Sequence, residues 1–237
     1  MATLVEFPEC NVVFHVKHGG ESAPGLNVVV AGGRAPSKVW LREIARQKKI
    51  CCADRGAQYC LEAGLSPALL VGDCDSAAKE IYAKAESLGA QIFLHPPAKD
   101  DTDLQLLLKK MPPGNVVATG IFGGRFDHLF SNVYSLLAFK KERGYSVALA
   151  DEQEFLLLLD AGEKVEISLQ DNKAAQAVSL LPLSAECRVS IGGVRWPLTN
   201  ALLTQARPYA ISNEPLTGAF TGECLEGSVG LYISWRK

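Results

Sequence analysis

From Asn27 to Asp151, short apolar runs alternate with longer stretches in which apolar positions recur at helical spacing. "NVVVAGG", "ICCAD", "ALLVGD", "QIFLHP", "NVVATGIFGG" and "SVALAD" read as strands. Between them "SKVWLREIARQKK", "GAQYCLEAG", "SAAKEIYAKAESLG", "DTDLQLLLKKM" and "DHLFSNVYSLLAFKKERG" read as helices. Ser37 and Ser76 stand where a hydroxyl can accept from the free N–H groups of a first turn, and Gly64 and Gly144 close the second and last helices. Strands apolar on both faces and joined by helices predict an α/β domain over residues 27–151, with a parallel sheet covered on both sides.

After Asp151 the helical spacing stops. "EFLLLLDAGEKVEISLQ", "AVSLLPLS", "CRVSIGGVRWPL", "YAISNEP" and "SVGLYISW" are short, apolar or alternating, and broken by Gly and Pro. They predict an all-β sandwich or barrel over residues 152–237. Residues 1–26 are set apart as an N-terminal extension, with a possible strand in "NVVFHV" and a linker in "KHGGESAPG".

Composition narrows the function classes. The 237 residues are 48% hydrophobic and 21% charged, and the net charge of -2 offers no basic face for nucleic acid. No apolar run approaches the ~20 residues that cross a bilayer, and no signal peptide is visible, so no membrane partner is expected. The seven cysteines are an odd number, scattered and without a C-x-x-C pair. That predicts buried free thiols and a cytoplasmic location.

Parallel strands share one carboxyl edge, and the polar residues collect there. Gly32, Gly33 and Arg34 follow the first strand, Asp54 and Arg55 the second, Asp73 and Asp75 the third. His95, Asp100, Asp101 and Asp103 follow the fourth, the segment Gly123, Gly124, Arg125, Phe126, Asp127 and His128 the fifth, and Asp151 the sixth. Open α/β sheets bind ligands at this edge. In "VGDCDS", Asp73 and Asp75 stand two apart in an extended segment, so their side chains point the same way. Like charges that close repel, and the pattern demands a cation between them. Asp100 and Asp103, three apart at a helix start, are expected on one face. Hard carboxylate oxygens beside glycine loops suit Mg²⁺ and phosphate. Neither a G-x-x-x-x-G-K-[ST] nor a G-x-G-x-x-G motif is present, which argues against a P-loop enzyme and a dinucleotide dehydrogenase.

"ADRGAQYCLEAGLSPALLVGDCDS", "KDDTDLQLLL", "GGRFDH", "GVRWPL" and "ISNE", in that order, resemble the thiamine pyrophosphokinase family. The resemblance covers about residues 27–237. It implies transfer of a diphosphoryl group from ATP to the hydroxyl of thiamine, with Mg²⁺, in a homodimer. It also implies that thiamine lies between one subunit's α/β domain and its partner's β domain. Carried onto matching motifs, Asp73, Asp75 and Asp103 serve metal and phosphates, with Asp54 and Asp100 beside them. Arg125 and Asp127 line the nucleotide cleft, and Ser212 and Asn213 contact thiamine. Either Asp73 or Asp103 is placed to accept the hydroxyl proton; the sequence does not choose.

Three positions depart from the family pattern: Arg55 where a glycine is usual, Cys74 between the paired aspartates, and Pro215 after "ISNE". Arg55 faces either the phosphates or solvent. Trp196 is expected in the core. These departures keep two alternatives open: a diphosphotransferase acting on another alcohol such as a pterin, and a non-catalytic nucleotide- or thiamine-binding module.

Overall fold

The computed structural model describes residues 2–15, 25–73, 79–170 and 174–235. The chain begins with β1 (Ala2–Glu6) and β2 (Cys10–His15). An α/β unit follows: β3 (Leu26–Val30), α1 (Lys38–Ile44), β4 (Lys49–Ala53), α2 (Gly56–Glu62), β5 (Leu69–Gly72) and α3 (Lys79–Ser87). It continues with β6 (Gln91–Leu94), α4 (Asp103–Lys110), β7 (Asn115–Thr119), α5 (Phe126–Arg143) and β8 (Val147–Ala150). The remaining strands are β9 (Glu154–Asp160), β10 (Glu163–Leu169), β11 (Ala175–Pro182), β12 (Glu186–Gly192), β13 (Leu198–Thr204), β14 (Ala219–Glu226) and β15 (Ser228–Trp235).

Two compact units result, residues 24–151 and the two chain ends, 1–23 with 152–237. In the first, the strands run parallel in the order β8-β7-β3-β4-β5-β6. Consecutive residues Val28, Val29 and Val30 are all buried, so both faces of β3 are covered, as its uninterrupted valines predict. The sheet grows outward from β3 through β4, β5 and β6, then returns to β7 on the other side of β3. The loops after β3 and β7 therefore diverge and leave a crevice between them.

Local chemistry fixes the helix starts. The Ser37 hydroxyl accepts from the Trp40 N–H at 3.3 Å, as its position predicts. Ser76, the expected cap of α3, lies outside the described residues. At α4, Thr102 Oγ1 accepts from Gln105 N–H and Gln105 Oε1 from Thr102 N–H, a reciprocal capping box. The helix thus begins at Asp103, and Asp100 precedes it rather than sharing its first turn. Gly56 starts α2 against the back of β3, where a Cβ would overlap the Val30 carbonyl oxygen.

In the second unit β1-β2-β10-β14-β12-β13 form one antiparallel sheet. A second antiparallel set is β11-β15-β9. Gly222 of β14 faces Leu231 of β15, and Phe7 packs edge-on to Phe155 at 5.1 Å between centroids. Residues 1–26, set apart by the sequence reading, supply β1 and β2, and β2 pairs with β10 along its length. No helix among the described residues is long and apolar enough to cross a membrane.

Six cysteines are free and buried, and Cys74 lies outside the described residues. Burial pushes the Cys10 thiol from 9.0 up to about 12 and the Cys51 thiol up to about 11. Both neutral forms are favoured in the fold, so their contribution to stability is complete below pH 9 and lost as pH rises toward those values. Urea midpoints measured upward from pH 9 should fall less steeply in Cys10→Ala than in the parent chain; equal slopes would show that Cys10 is not responsible. Gly56→Ala should lower unfolding free energy by about 3 kcal/mol, because helix and strand must separate to admit the methyl group. An unchanged urea midpoint would show that α2 shifts freely.

Candidate functional site

A cavity of about 610 Å³ opens in the α/β unit, lined by the loops after β3, β4, β6 and β7. Its floor is backbone. Gly33 N–H donates to the Gly120 carbonyl and Arg34 N–H to the Phe122 carbonyl, both at 2.6 Å. A Cβ on Gly33 would stand 2.6 Å from the Gly120 oxygen and 2.8 Å from that of Phe122, so only glycine fits. Gly123 and Gly124 both take φ of +69°, a left-handed pair open to a second glycine-like backbone approach. Arg34 ties the floor to the end of β8: its Nη2 and Nε donate to Asp151 Oδ2 at 2.7 and 2.9 Å, with Asp151 1% exposed. Gly32, Gly33, Gly123 and Gly124 thus meet in one wall although the sequence separates the two pairs widely.

The charged groups come from three loops. Asp54 and Arg55 are exposed on the turn after β4 and line the cavity. The left-handed residue of that turn is Asp54, at φ +47°, while Arg55 is helical at φ -55°. Asp tolerates that angle through its short polar side chain, and Arg55 needs no glycine-like backbone. Asp100 and Asp103 line the cavity from the loop before α4. Lys99 Nζ donates to Asp103 Oδ1 at 2.6 Å, and Lys109 Nζ to Asp101 Oδ2 at 2.6 Å.

Arg125 also lines the cavity, but Asp127 does not. The two form a forked pair at 2.6 and 3.1 Å, and this guanidinium holds the Asp127 carboxyl below its usual range. The pair is exposed on both sides and contributes little to stability. Asp73 follows β5 on the same sheet edge, half-buried, and is not among the cavity-lining residues. Asp75 lies outside the described residues.

Lys99 and Asn132 line the cavity and have no place in the sequence reading, and His128, which also lines it, was placed at the sheet edge without a role. His128 and Asn132 are four apart on α5, one turn along a face, which the i, i+4 spacing of "HLFSN" would have shown.

In the β unit, Asn213 is buried and its side chain is committed. Oδ1 accepts from the backbone N–H of Trp196 at 3.0 Å and of Glu214 at 2.9 Å, and Nδ2 donates to the Trp196 carbonyl at 2.7 Å. Its backbone exchanges hydrogen bonds with Val178 at 2.8 Å in both directions. Ser212 is exposed and left-handed at φ +61°, its N–H donating to Ser179 Oγ at 3.0 Å. Trp196, expected in the core, is 53% exposed, with the Arg195 guanidinium 4.9 Å from its ring centre. Tryptophans are mostly buried by packing, which is the ground of the expectation, but here the Asn213 amide holds both backbone groups of Trp196 and the indole lies outside. Pro215 pairs across to Val194, in the same hairpin-like contact.

Two family models match. Residues 41–148 fit the thiamin pyrophosphokinase catalytic domain, and residues 164–220 its vitamin B1 binding domain. The chain is 30% identical over 165 residues to thiamine pyrophosphokinase of Bacillus subtilis, covering 68% of this chain and 75% of that protein. It is 27% identical over 157 residues to thiamine pyrophosphokinase 1 of Oryza sativa, covering 62% of this chain and 58% of the relative. The crystal structure of the Bacillus subtilis enzyme superposes with a TM-score of 0.74 at 25% identity, over 89% of this chain and 98% of that one. Thiamin pyrophosphokinase from Candida albicans shares the fold at a TM-score of 0.75 and 17% identity, over 90% of each chain. With both halves matched in order and a 30% identical relative covered over three quarters of its length, the chain belongs to the thiamine pyrophosphokinase family.

Proposed function

We infer that the chain transfers a diphosphoryl group from ATP to the hydroxyl of thiamine and releases AMP, with the cavity of the α/β unit as its ATP site. The observation that carries this reading is the convergence of two glycine loops, four carboxylates and three cationic side chains on one cavity at a topological switch point. The match of the second half to a vitamin B1 binding domain favours thiamine over a pterin or another alcohol.

Mg²⁺ suits this donor set. Among the described residues no three His, Cys, Asp or Glu groups form a ready-made cage. Mg²⁺ needs only one or two carboxylates, since substrate phosphates and water complete its shell. Asp54, Asp100 and Asp103 would hold it from the cavity wall, with Asp73 from the end of β5; Asp75 joins this set by the family resemblance alone. When bound, it would neutralise charge on the transferring phosphates.

The chain's own residues do the rest. The glycine loops let backbone approach the phosphates closely, and Arg55, Lys99 and Arg125 offer positive charge to their oxygens. A carboxylate oxygen of Asp73 or Asp103 accepts the proton of the thiamine hydroxyl. In the β unit the exposed face of Trp196, clamped by Asn213, suits the cationic thiazolium ring. Ser212, beside the clamp, is available to the pyrimidine.

A homodimer in the cytoplasm completes the reading. It is supported by the family resemblance, by buried free thiols, and by large exposed apolar side chains on each unit, Phe126 at 76% and Leu216 at 68% among them. Sedimentation velocity should give twice the chain mass; a monomer at micromolar concentration would remove the dimer.

AMP should appear from ATP only when thiamine and Mg²⁺ are both present. AMP without thiamine, or none at all, would overturn the activity. Asp103→Asn and Asp73→Asn should each fold and lose at least roughly a hundredfold in kcat, the loss of one charge facing the transferring group. A variant within a few-fold of the parent removes that residue from the reacting centre. Trp196→Ala should raise the KM for thiamine about tenfold, leaving that for ATP and the melting temperature unchanged. Asn213→Ala should raise the same constant and also lower the melting temperature, because the amide acts through the Trp196 backbone. A rise in the ATP constant of either variant would move the thiamine pocket elsewhere.

A further inference from the structure

Lys99 sits in the cavity wall with 15% of its side chain exposed, and its ammonium lies 2.6 Å from Asp103 Oδ1. The two partners differ in freedom. Asp103 is the first residue of α4, and the capping box between Thr102 and Gln105 fixes its backbone. Lys99 lies in the loop before the helix, on a flexible four-carbon stem. The neighbouring pair of Asp101 and Lys109 is a surface pair, with the lysine 63% exposed, and does not place its ammonium inside the wall. Lys99 instead supplies positive charge among Asp54, Asp100 and Asp103, where the carboxylates would otherwise repel.

We propose that Lys99 is an exchangeable counter-ion of the ATP site. In the empty protein it neutralises Asp103. When a divalent cation enters with a polyphosphate, Lys99 yields that carboxylate and re-pairs with a phosphate oxygen, keeping its proton throughout. A cation arriving alone must compete with the ammonium, whereas one arriving with phosphate gives the ammonium a new partner. The exchange therefore couples metal and nucleotide binding in the favourable direction, beyond their direct contact. It rests on the phosphoryl-transfer reading above.

The test titrates Mn²⁺ into the full chain by calorimetry, with and without α,β-methylene-ATP, which the reaction cannot cleave. Lys99→Met should bind Mn²⁺ alone about tenfold more tightly and the analogue, at saturating Mn²⁺, about tenfold more weakly. Lys99→Arg should bring the analogue back to within a few-fold of the parent while Mn²⁺ alone binds as in the parent. Lys99→Gln gives the same opposed shifts if the methionine variant does not fold. Unchanged or weaker Mn²⁺ binding in a folded, neutral variant overturns the exchange. So do two affinities that fall together with the melting temperature, the mark of a merely structural pair. A parent chain that binds neither Mn²⁺ nor the analogue instead overturns the phosphoryl-transfer reading itself.

Discussion

The close approach of two backbone segments at the switch point is the constraint on which the site depends. β3 and β7 are neighbours in the sheet but lie on opposite sides of the order in which it is built. Their loops leave in different directions and would gape without a tie. The tie is two hydrogen bonds of 2.6 Å, from Gly33 to Gly120 and from Arg34 to Phe122, the first joining two glycines at which no Cβ fits. Side chains could not knit the loops so closely, because they would fill the cavity between them. The ion pair of Arg34 with buried Asp151 draws the end of β8 into the same floor. Removing one partner of such a pair would leave an uncompensated charge, so the floor is held by groups that do not face the ligand.

On this rigid floor the charges come in opposed sets. Carboxylates and cations mix along the rim, from Asp54 and Arg55 through Lys99, Asp100, Asp101 and Asp103 to Arg125. A wall of one sign would favour either the metal or the phosphate and repel the other. A mixed wall suits a ligand that carries both. It also lets the charges satisfy one another in the absence of ligand, as Lys99 and Arg125 do with Asp103 and Asp127. The arginine at position 55 fits this pattern: the turn places its left-handed angle on Asp54, so position 55 is open to a side chain that adds charge.

Much of this was legible because it is local. Strands uniform in apolar character, serine at a helix start and glycine at a strand end act within a few residues, and their signals are in the sequence. Pairing across the chain has no such signal. β2 joins β10 more than a hundred residues away, and nothing in "NVVFHV" names its neighbour. Lys99 was hidden for a related reason: within "AKDDTD" it reads as one charge of a solvated run, and only the loop's path turns it inward. His128 carried its periodic signal inside a motif read for its arginine and aspartate. Asp73 shows the reverse: its spacing pointed to the site, yet it stands at the sheet edge beside the cavity lining rather than in it.

The β unit holds a polar residue that the structure itself demands. Asn213 is buried, and its amide meets both the N–H and the carbonyl of Trp196. An aspartate has no donor for that carbonyl, and an apolar side chain of similar size would leave both groups unmet. The asparagine is therefore explained by the backbone it clamps, with no ligand invoked. What the clamp achieves is the exposure of a large aromatic ring, which the hydrophobic effect alone would turn inward. An indole held outward against that tendency, with a guanidinium 4.9 Å from its centre, is organised for a flat partner. On the reading proposed above, the ring would be the recognition element, and Asn213 would act by fixing the backbone from which it projects.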